Sequence, residues 1–269
     1  MSGISIITML AYDFRYSYVA IRSYYDIADE IILGLDADRL SWSQLPFSID
    51  FDEMKAFIAD IDTKKKIRIV EGNFHSQDHP MKNDTLERSI LSREAQPGNW
   101  VVQIDADEML LNATEFRTWL LTKNPAHNCV YARWITIFKT FGNKVLAIDP
   151  PGEEVPVATF ARGQFTIARA TAQPGIMSPL QLLHFSWGRT PEELKKKLTN
   201  WSHAQDFDVE SFFRPWDSVT LENYQQIKNF HPLHGPTWQG LKLSTIGFAP
   251  AAPYRPAVSG SGGVGGSGG

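Results

Sequence analysis

Residues 100–108 read Trp-Val-Val-Gln-Ile-Asp-Ala-Asp-Glu, an apolar run that ends in three acidic residues. Apolar side chains on successive positions are typical of a strand that is buried on both faces, as in a parallel sheet covered by helices. The same pattern occurs at residues 30–38, where an apolar run leads to Asp36-Ala37-Asp38. Two Asp-Ala-Asp tripeptides therefore follow two predicted parallel strands, at the sheet edge where open α/β folds bind ligands.

The rest of the first half predicts a doubly wound α/β fold. Strands are predicted at residues 4–9, 30–35, 67–71 and 100–105, with helices between them at 15–26, 52–62 and 85–95. This alternation is typical of a parallel sheet with helices on both faces.

The second half of the chain has a different residue pattern from the first. Beyond residue 129, β-branched and aromatic runs predict mixed or antiparallel strands, followed by a strand at 182–186 and helices at 191–205 and near 221–230. Capping-box patterns at Asn112 and Thr190 predict that helices begin near Ala113 and Pro191.

Composition and charge narrow the class of protein. The chain has 269 residues, of which 43% are apolar and 21% charged, and its net charge is −4. These values are typical of a globular protein and lack the basic excess of a nucleic-acid or anionic-membrane binder. The single cysteine, Cys129, excludes an intramolecular disulfide and favours a reducing compartment. With no signal peptide and no apolar run long enough for a transmembrane segment, the sequence predicts a cytoplasmic protein.

The two acidic tripeptides suit one kind of chemistry. Two carboxylates separated by a small residue can reach a divalent ion and a ribose from one turn, and oxygen ligands suit Mg²⁺ or Mn²⁺ bound to a diphosphate. A single Asp-x-Asp is more often only a helix cap, but two copies at two strand ends favour a ligand site. Glycine-rich phosphate loops of the P-loop and dinucleotide types are missing from the sequence, which argues against an NTPase or a nicotinamide enzyme.

Three segments resemble the nucleotide-sugar glycosyltransferases of the GT-A fold, close to glycosyltransferase family 2. They are residues 29–36, residues 103–108 and Leu183-His184-Phe185-Ser186-Trp187. The resemblance implies a Rossmann-like, mostly parallel central sheet with helices on both faces and a smaller mixed sheet in the C-terminal half. It also implies a metal-dependent hexosyl- or pentosyltransferase that moves a sugar from a nucleoside diphosphate sugar, with UDP favoured, to a hydroxyl of a glycan or another acceptor.

The resemblance assigns roles to individual residues. It implies that Thr8, Ala11 and Asp36 bind the nucleoside. Asp105 is the first residue of the family's Asp-x-Asp motif, near the ribose and the metal. Asp107 is the second residue, a metal ligand and the leading catalytic residue, and His184 completes the sphere of a Mn²⁺ or Mg²⁺ ion. Because a metal-bound imidazole must be neutral and its reference pKa is about 6.5, metal affinity is expected to fall on acidification.

Other residues extend this candidate site. Lys197 and His203 belong to the helix that directly follows the His184 strand, so we expect them near the diphosphate. Arg93, on the helix before the Asp-x-Asp strand, has the same predicted role. Trp187 is expected to stack on a sugar. The charged residues would equally suit a solvated helix face, and Trp187 would equally suit a core.

The sequence has no clear counterpart of the acidic pair that supplies the base in inverting members of this family. Glu154, in the pair Glu153-Glu154, is the nearest candidate, so inversion and retention of the anomeric configuration stay open. His75, Asp78 and His79, which come after the third predicted strand, have a spacing that could hold a metal ion. Because no predicted helix aligns their side chains, they are interpreted as parts of a polar loop.

We expect a single GT-A domain over residues 1–249. Its nucleotide-binding half would span 1–124, and the half that binds the acceptor and completes the metal site would span 125–249. Residues 250–269 are rich in Pro and then in Gly and Ser, which predicts a flexible tail ending in an added linker.

Two other functions stay open. A haloacid-dehalogenase-like phosphatase also carries an Asp-x-Asp after a strand, with the first Asp as nucleophile, although Glu108 and Met109 are atypical of the positions after that motif. A non-catalytic GT-A-like module that binds a sugar is the third interpretation, and the intact Asp-x-Asp with His184 argues against it.

Overall fold

The computed structural model of the chain describes residues 2–124, 129–206, 208–232 and 237–255. The strands in these ranges are β1 (Ile4–Leu10), β2 (Glu30–Asp36), β3 (Ile67–Gly72), β4 (Trp100–Gln103), β5 (Glu108–Leu110), β6 (Cys129–Phe141), β7 (Lys144–Asp149), β8 (Glu154–Thr159), β9 (Phe165–Ile167), β10 (Ala170–Thr171), β11 (Gly175–His184) and β12 (Gly240–Thr245). The α-helices are α1 (Tyr16–Tyr24), α2 (Phe51–Ile61), α3 (Pro80–Glu94), α4 (Ala113–Leu120), α5 (Pro191–Asn200) and α6 (Val209–Ser218).

One ten-stranded sheet carries strands from both halves of the chain. Its order is β12-β7-β6-β8-β4-β1-β2-β3, with β11 beside β6 and β5 beside β11. The neighbours β4, β1, β2 and β3 are parallel, while β8 pairs antiparallel with both β4 and β6. Strands β9 and β10 form a separate two-stranded sheet. The predicted α/β class is confirmed, and the second half extends the central sheet through antiparallel and mixed pairing.

The central strands are buried on both faces, which explains their unbroken apolar runs. Ile31 belongs to the larger hydrophobic cluster and its neighbour Ile32 to a cluster on the other side of the sheet. Val102 and Val101 divide between the same two clusters, and all four side chains are fully buried. Helices must therefore cover both faces, as the alternating pattern predicts.

The pairing of β11 positions the late histidine. β11 is parallel to β6 with His184 opposite Thr136, and antiparallel to β5 with His184 opposite Glu108. His184 therefore lies between two neighbouring strands, next to the turn that carries Asp107. This register brings His184, from the second half of the chain, next to the turn that follows β4, from the first half.

The prediction of a helix near residues 221–230 is wrong. That segment contains only a 3-10 turn at Tyr224–Gln226, and the helix of this region is the preceding α6. Pro215 lies inside α6 and is typical of a helix break, because proline has no N–H to donate. Tertiary contacts stabilise α6 nonetheless: the buried Lys139 ammonium donates to the carbonyls of Trp216, Asp217 and Val219 at its C-terminal end.

Other element boundaries also differ from the prediction. Helix α5 ends at Asn200 rather than near residue 205, and α3 begins at Pro80, where His79 Nδ1 accepts a hydrogen bond from Met81 N. The capping box at Thr190 is confirmed. Asn112 makes no side-chain cap, because its amide group binds Pro179 O and Gln181 N, both in β11.

The C-terminal tail lies partly within the described residues. Tyr254 packs edge-on against Tyr18 and Phe57, and its backbone N–H donates to Glu53 Oε1 at 2.8 Å. Residues 256–269, which include the predicted linker, lie outside the described residues. No helix in the described ranges has the length and apolar character that a bilayer span requires.

We expect Thr190→Ala to lower the free energy of unfolding by about 1 kcal/mol, because it removes the hydroxyl that begins α5. Thr190 Oγ1 accepts from Glu193 N at 3.2 Å, and Glu193 Oε2 accepts from Thr190 N at 3.0 Å. Urea denaturation measures the change. Thr199→Ala, at an exposed site of the same helix, is the control, and a loss no greater than that of the control would contradict the capping role.

Candidate active site

A cavity of about 440 Å³ lies at the carboxyl ends of β1, β2 and β4, and this volume is typical of small-molecule sites. Eight residues predicted from the sequence line it: Ala11, Asp36, Asp105, Asp107, His184, Trp187, Lys197 and His203. The two halves of the sheet therefore contribute to a single cavity.

Three predicted residues do not line this cavity. Thr8 is buried within β1, and its hydroxyl is hydrogen-bonded to that of Tyr24. Arg93 is exposed and donates to the carbonyl of Gly163. Glu154 lies on the outside of β8, 3.8 Å from the Arg133 guanidinium, whereas its neighbour Glu153 lines the cavity.

Asp107 is the most strongly compensated carboxylate of the cavity. Its Oδ2 accepts from Arg189 Nη2 at 2.5 Å and from Lys197 Nζ at 2.6 Å. Burial alone would raise the pKa of this carboxyl, but Lys197 and the other positive groups around it hold the pKa well below its usual range. Asp107 is therefore a fixed anion with one oxygen, Oδ1, turned towards His184.

Asp105 is held by two arginines from different elements. Arg88 of α3 lies 3.0 Å from Asp105 Oδ1, and Arg169, next to the β9–β10 sheet, contacts Oδ2. Arg169 also binds Glu108 Oε1 at 2.8 Å. Burial opposes ionisation of Asp105, but the two guanidinium groups outweigh it and lower the pKa. Arg88 donates a hydrogen bond to Oδ2, which Arg169 also contacts, whereas the buried Oδ1 has no hydrogen-bond partner among the described residues.

His184 has the chemistry of a metal ligand. Its Nε2 lies 3.7 Å from Asp107 Oδ1, and its ring packs 4.4 Å from that of Trp134. Burial lowers the pKa of His184 to about 3, so the imidazole is neutral at physiological pH and keeps a lone pair for a ligand. The expected loss of metal affinity near pH 6.5 therefore moves to a much lower pH.

Asp107 Oδ1 and His184 Nε2 together fit a divalent ion. A carboxylate oxygen and a neutral imidazole nitrogen are ligands that Mn²⁺ accepts, and their separation of 3.7 Å lets one ion contact both. Asp105 could add only Oδ1, which has no hydrogen-bond partner among the described residues but lies 3.0 Å from the Arg88 guanidinium. A protein site of two ligands would take its remaining ligands from a bound diphosphate and water.

Asp36 organises the other end of the cavity. Its Oδ1 accepts from the backbone N–H groups of Asp38 and Leu40, and its Oδ2 accepts from that of Phe74. His75 Nδ1 lies 2.8 Å from the same Oδ2, and Asp36, Asp38 and His75 are close enough together to hold a metal ion. Since four hydrogen-bonding groups already surround Asp36, its main role here is to fix the loops that follow β2 and β3.

The cavity wall next to β6 contains a half-buried carboxyl group, that of Glu153, which the sequence did not single out. Glu153 Oε2 accepts from the Thr136 hydroxyl at 2.8 Å, and its Oε1 lies 3.8 Å from His231 Nε2. Burial raises the pKa of Glu153. Because Thr136 is opposite His184 in the β6–β11 pairing, Glu153 lies on the side of His184 away from Asp107.

The aromatic residues divide into packed and lining groups. Trp187 reaches the cavity but is almost fully buried, with its ring 5.5 Å from that of Trp201 and 5.6 Å from that of Trp238. Trp134 also lines the cavity, and its Nε1 donates to Glu108 Oε1 at 2.7 Å. Trp134 therefore offers a fixed ring face beside His184, while Trp187 serves mainly the core.

Most of the site residues that the sequence analysis did not predict carry a positive charge. Arg88 follows Asp84 by four residues and binds it at 2.5 Å, so its spacing on a helix was a usable signal. Arg169 and Arg189 gave no local signal, because their partners lie more than 60 residues away along the chain.

Comparison with known proteins adds structural neighbours. No family model and no curated protein sequence matches the chain. A structure of S. aureus TarS 1–349 has a TM-score of 0.34 and 12% identity, over 50% of this chain and 36% of that one. The galactosyltransferase LgtC with donor and acceptor sugar analogues has a TM-score of 0.33 and 18% identity, over 49% and 46%. GalNAc-T7 with UDP, GalNAc and Mn²⁺ has a TM-score of 0.41 and 10% identity, over 82% and 52%.

The chain therefore spans between about a third and about a half of the length of these structures. The neighbours include glycosyltransferases, the class of enzyme that the three sequence segments resemble.

Glu87 of α3, which lines the cavity, makes the free energy of unfolding depend on pH. Its Oε2 accepts from Trp42 Nε1 at 2.7 Å, and burial raises its pKa from 4.5 to about 8. Between these values the unfolded chain has lost the proton that the folded protein keeps. The contribution of Glu87 to the free energy of unfolding therefore falls as pH rises through this window.

We expect Glu87→Gln to reduce this fall by roughly 2–4 kcal/mol between about pH 5 and about pH 8. Glutamine keeps an oxygen for Trp42 but does not ionise. Urea denaturation of both proteins at the two pH values measures the difference. Identical pH dependence of the two proteins would show that Glu87 is not protonated in the fold.

Proposed function

We propose that the chain is a glycosyltransferase that moves a sugar from a nucleoside diphosphate sugar, with UDP as the preferred nucleotide, to an acceptor hydroxyl. The observation that carries this proposal is the arrangement at Asp107, where a buried strand-end carboxylate, a neutral histidine and the ammonium of Lys197 face one cavity. This combination suits a pyrophosphate, which needs positive charge, and an ion held between protein and phosphate oxygens.

In this proposal the donor lies along the ends of the parallel strands. The nucleoside would lie near Ala11 and the loops that Asp36 fixes, and the ribose near Asp105. The diphosphate would lie against Lys197 and His203, both of which line the cavity. Asp105 and Asp36 act chiefly by orientation, since protein groups already bind their oxygens.

Asp107 and His184 would hold Mn²⁺ or Mg²⁺. When bound, such an ion supplies Lewis-acid stabilisation of the leaving diphosphate. The part of the protein is to keep Asp107 ionised and His184 neutral, which their surroundings favour.

We assign the role of acceptor base to Glu153 in place of Glu154. The acceptor oxygen would form its bond to the anomeric carbon as the bond from that carbon to the diphosphate oxygen breaks, and its proton would pass to Glu153. The Thr136 hydroxyl orients the carboxyl group. A base on the acceptor is what a single displacement with inversion requires, so we propose inversion.

The alternative functions receive less support. A phosphatase nucleophile at Asp105 would have to use Oδ1, which lies 3.0 Å from the Arg88 guanidinium, because Arg88 and Arg169 both contact Oδ2. A sugar-binding module without activity would not need a half-buried carboxyl such as that of Glu153 in the same cavity as Asp107. A cytoplasmic location belongs to the proposal because the single cysteine, Cys129, is buried and forms no disulfide.

A donor panel tests the proposed function. We expect wild-type protein to release UDP from a UDP-sugar when Mn²⁺ is present, and chelation to abolish this release. Asp107→Asn should lower turnover by at least about a hundredfold, because it removes the anion on which the ion depends. Its melting temperature serves as the folding control. Full metal-dependent turnover in a folded Asp107→Asn protein would overturn the assignment.

Glu153→Gln tests the acceptor end separately. We expect the rate of transfer to fall about 10²–10⁴-fold with little change in UDP affinity. Because the base must be ionised, the wild-type rate should rise with pH through the raised pKa of Glu153, and the variant should lack this rise. Glu154→Gln, at the exposed neighbouring position, is the matched control. Equal losses in both variants would exclude a specific role for Glu153.

A further inference from the structure

Lys197 makes an unusual contact for a residue that lines a cavity. It lies in the last turn of α5, and its side chain is only 9% exposed. Within the described residues, Asp107 Oδ2 is the single hydrogen-bond acceptor of its ammonium group, at 2.6 Å. Since an ammonium group has three donors, two of them are left over for a ligand that enters the cavity.

Arg189 binds the same oxygen but is anchored differently. It also donates to Asp13 Oδ2 at 2.8 Å and to the carbonyls of Phe185 and Ser186. Its guanidinium lies 4.4 Å from the ring centre of Tyr16, and it does not line the main cavity. Arg189 is thus a fixed cation behind Asp107, whereas Lys197 is a cation on the cavity side with one hydrogen bond and a looser contact with the Trp201 ring, whose centre is 5.8 Å away.

Because Lys197 and Arg189 already compensate the charge of Asp107, this carboxylate attracts a further cation only weakly. A divalent ion between Asp107 Oδ1 and His184 would meet the positive charges of Lys197 and Arg189 across a single carboxylate group. Repulsion between like charges is strong where water is scarce. A diphosphate brings negative charge to the same place, so it would both attract the ion and offer a new partner to the Lys197 ammonium.

We propose that Lys197 is an internal counter-ion of Asp107 that gives way when donor and metal bind together. In the donor-free protein, Lys197 occupies the carboxylate and keeps divalent ions weakly bound. On donor binding, its ammonium turns to the diphosphate and Asp107 becomes available to the ion. This inference rests on the proposed function, since it requires a diphosphate donor.

The proposal requires energetic coupling between metal and donor. By linkage, a nucleoside diphosphate that raises the affinity for the ion must have its own affinity raised by the same factor. A lysine bound to one carboxylate suits such an exchange, because its long flexible side chain can move its charge without moving the backbone. The fixed Arg189 would keep Asp107 ionised throughout.

Binding of Mn²⁺ to Lys197→Met tests the proposal without an activity assay. The electron paramagnetic resonance signal of free Mn²⁺ measures affinity in the absence and presence of UDP. We expect the variant to bind Mn²⁺ about tenfold more tightly than wild type without UDP, and to gain less affinity from UDP. Lys197→Arg keeps the charge and should stay weak, and Lys197→Gln is a second neutral variant if Lys197→Met does not fold.

Two controls separate this inference from the proposed function. Lys195→Met removes an exposed lysine of the same helix, which lies over Phe213 rather than near Asp107, and it should leave Mn²⁺ binding unchanged. Asp107→Asn should abolish Mn²⁺ binding in all backgrounds. Equal Mn²⁺ affinity of wild type and both neutral variants without UDP would overturn the role of Lys197. Tighter Mn²⁺ binding by the neutral variants, together with no UDP binding by any protein, would support Lys197 but reject the donor assignment.

Discussion

A carboxylate removed from water stays ionised only if positive groups or hydrogen-bond donors replace the water, and this constraint governs the structure around Asp107. Its partners Arg189 and Lys197 come from the turn after β11 and from α5, whereas Asp107 follows β4. Removing one member of a buried ion pair typically costs several kcal/mol, because the remaining charge is left without a partner. The position of α5 against the parallel sheet is therefore tied to the ionisation of one residue.

The cavity also depends on the register of β11 against its neighbours in the sheet. His184 reaches Asp107 only because β11 pairs with both β5 and β6. A shift of β11 by one residue would turn His184 to the opposite face of the sheet. The same pairing places His184 beside Thr136 and hence near Glu153. Strand pairing thus holds His184 beside Asp107 and Thr136, while the segment before β8 brings Glu153 to Thr136.

Local patterns were enough to predict the parallel core, the strand-end acids and the resemblance that singled out His184. They were insufficient where the outcome depended on contacts between distant segments. Arg169 and Arg189 gained their roles from such contacts. Glu153 and Glu154 are adjacent in a Pro- and Gly-rich loop, and only the path of the chain into β8 decides which one enters the cavity. The helix with Pro215 was missed because burial and the Lys139 cap outweigh local propensity.

The regular spacing of residues along β6 fixes the positions of two side chains in the cavity wall. Trp134 and Thr136 face the cavity, and Ile135 between them packs in a cluster on the other face. Successive residues on one face of a strand are about 7 Å apart. Pairing with β11 holds Trp134 and Thr136 on one edge of β6, and Trp134 N donates to Glu153 O on the other edge. An inserted residue would send Thr136 to the side of Ile135. The spacing between Trp134 and Thr136 in the cavity wall is therefore a property of the strand itself.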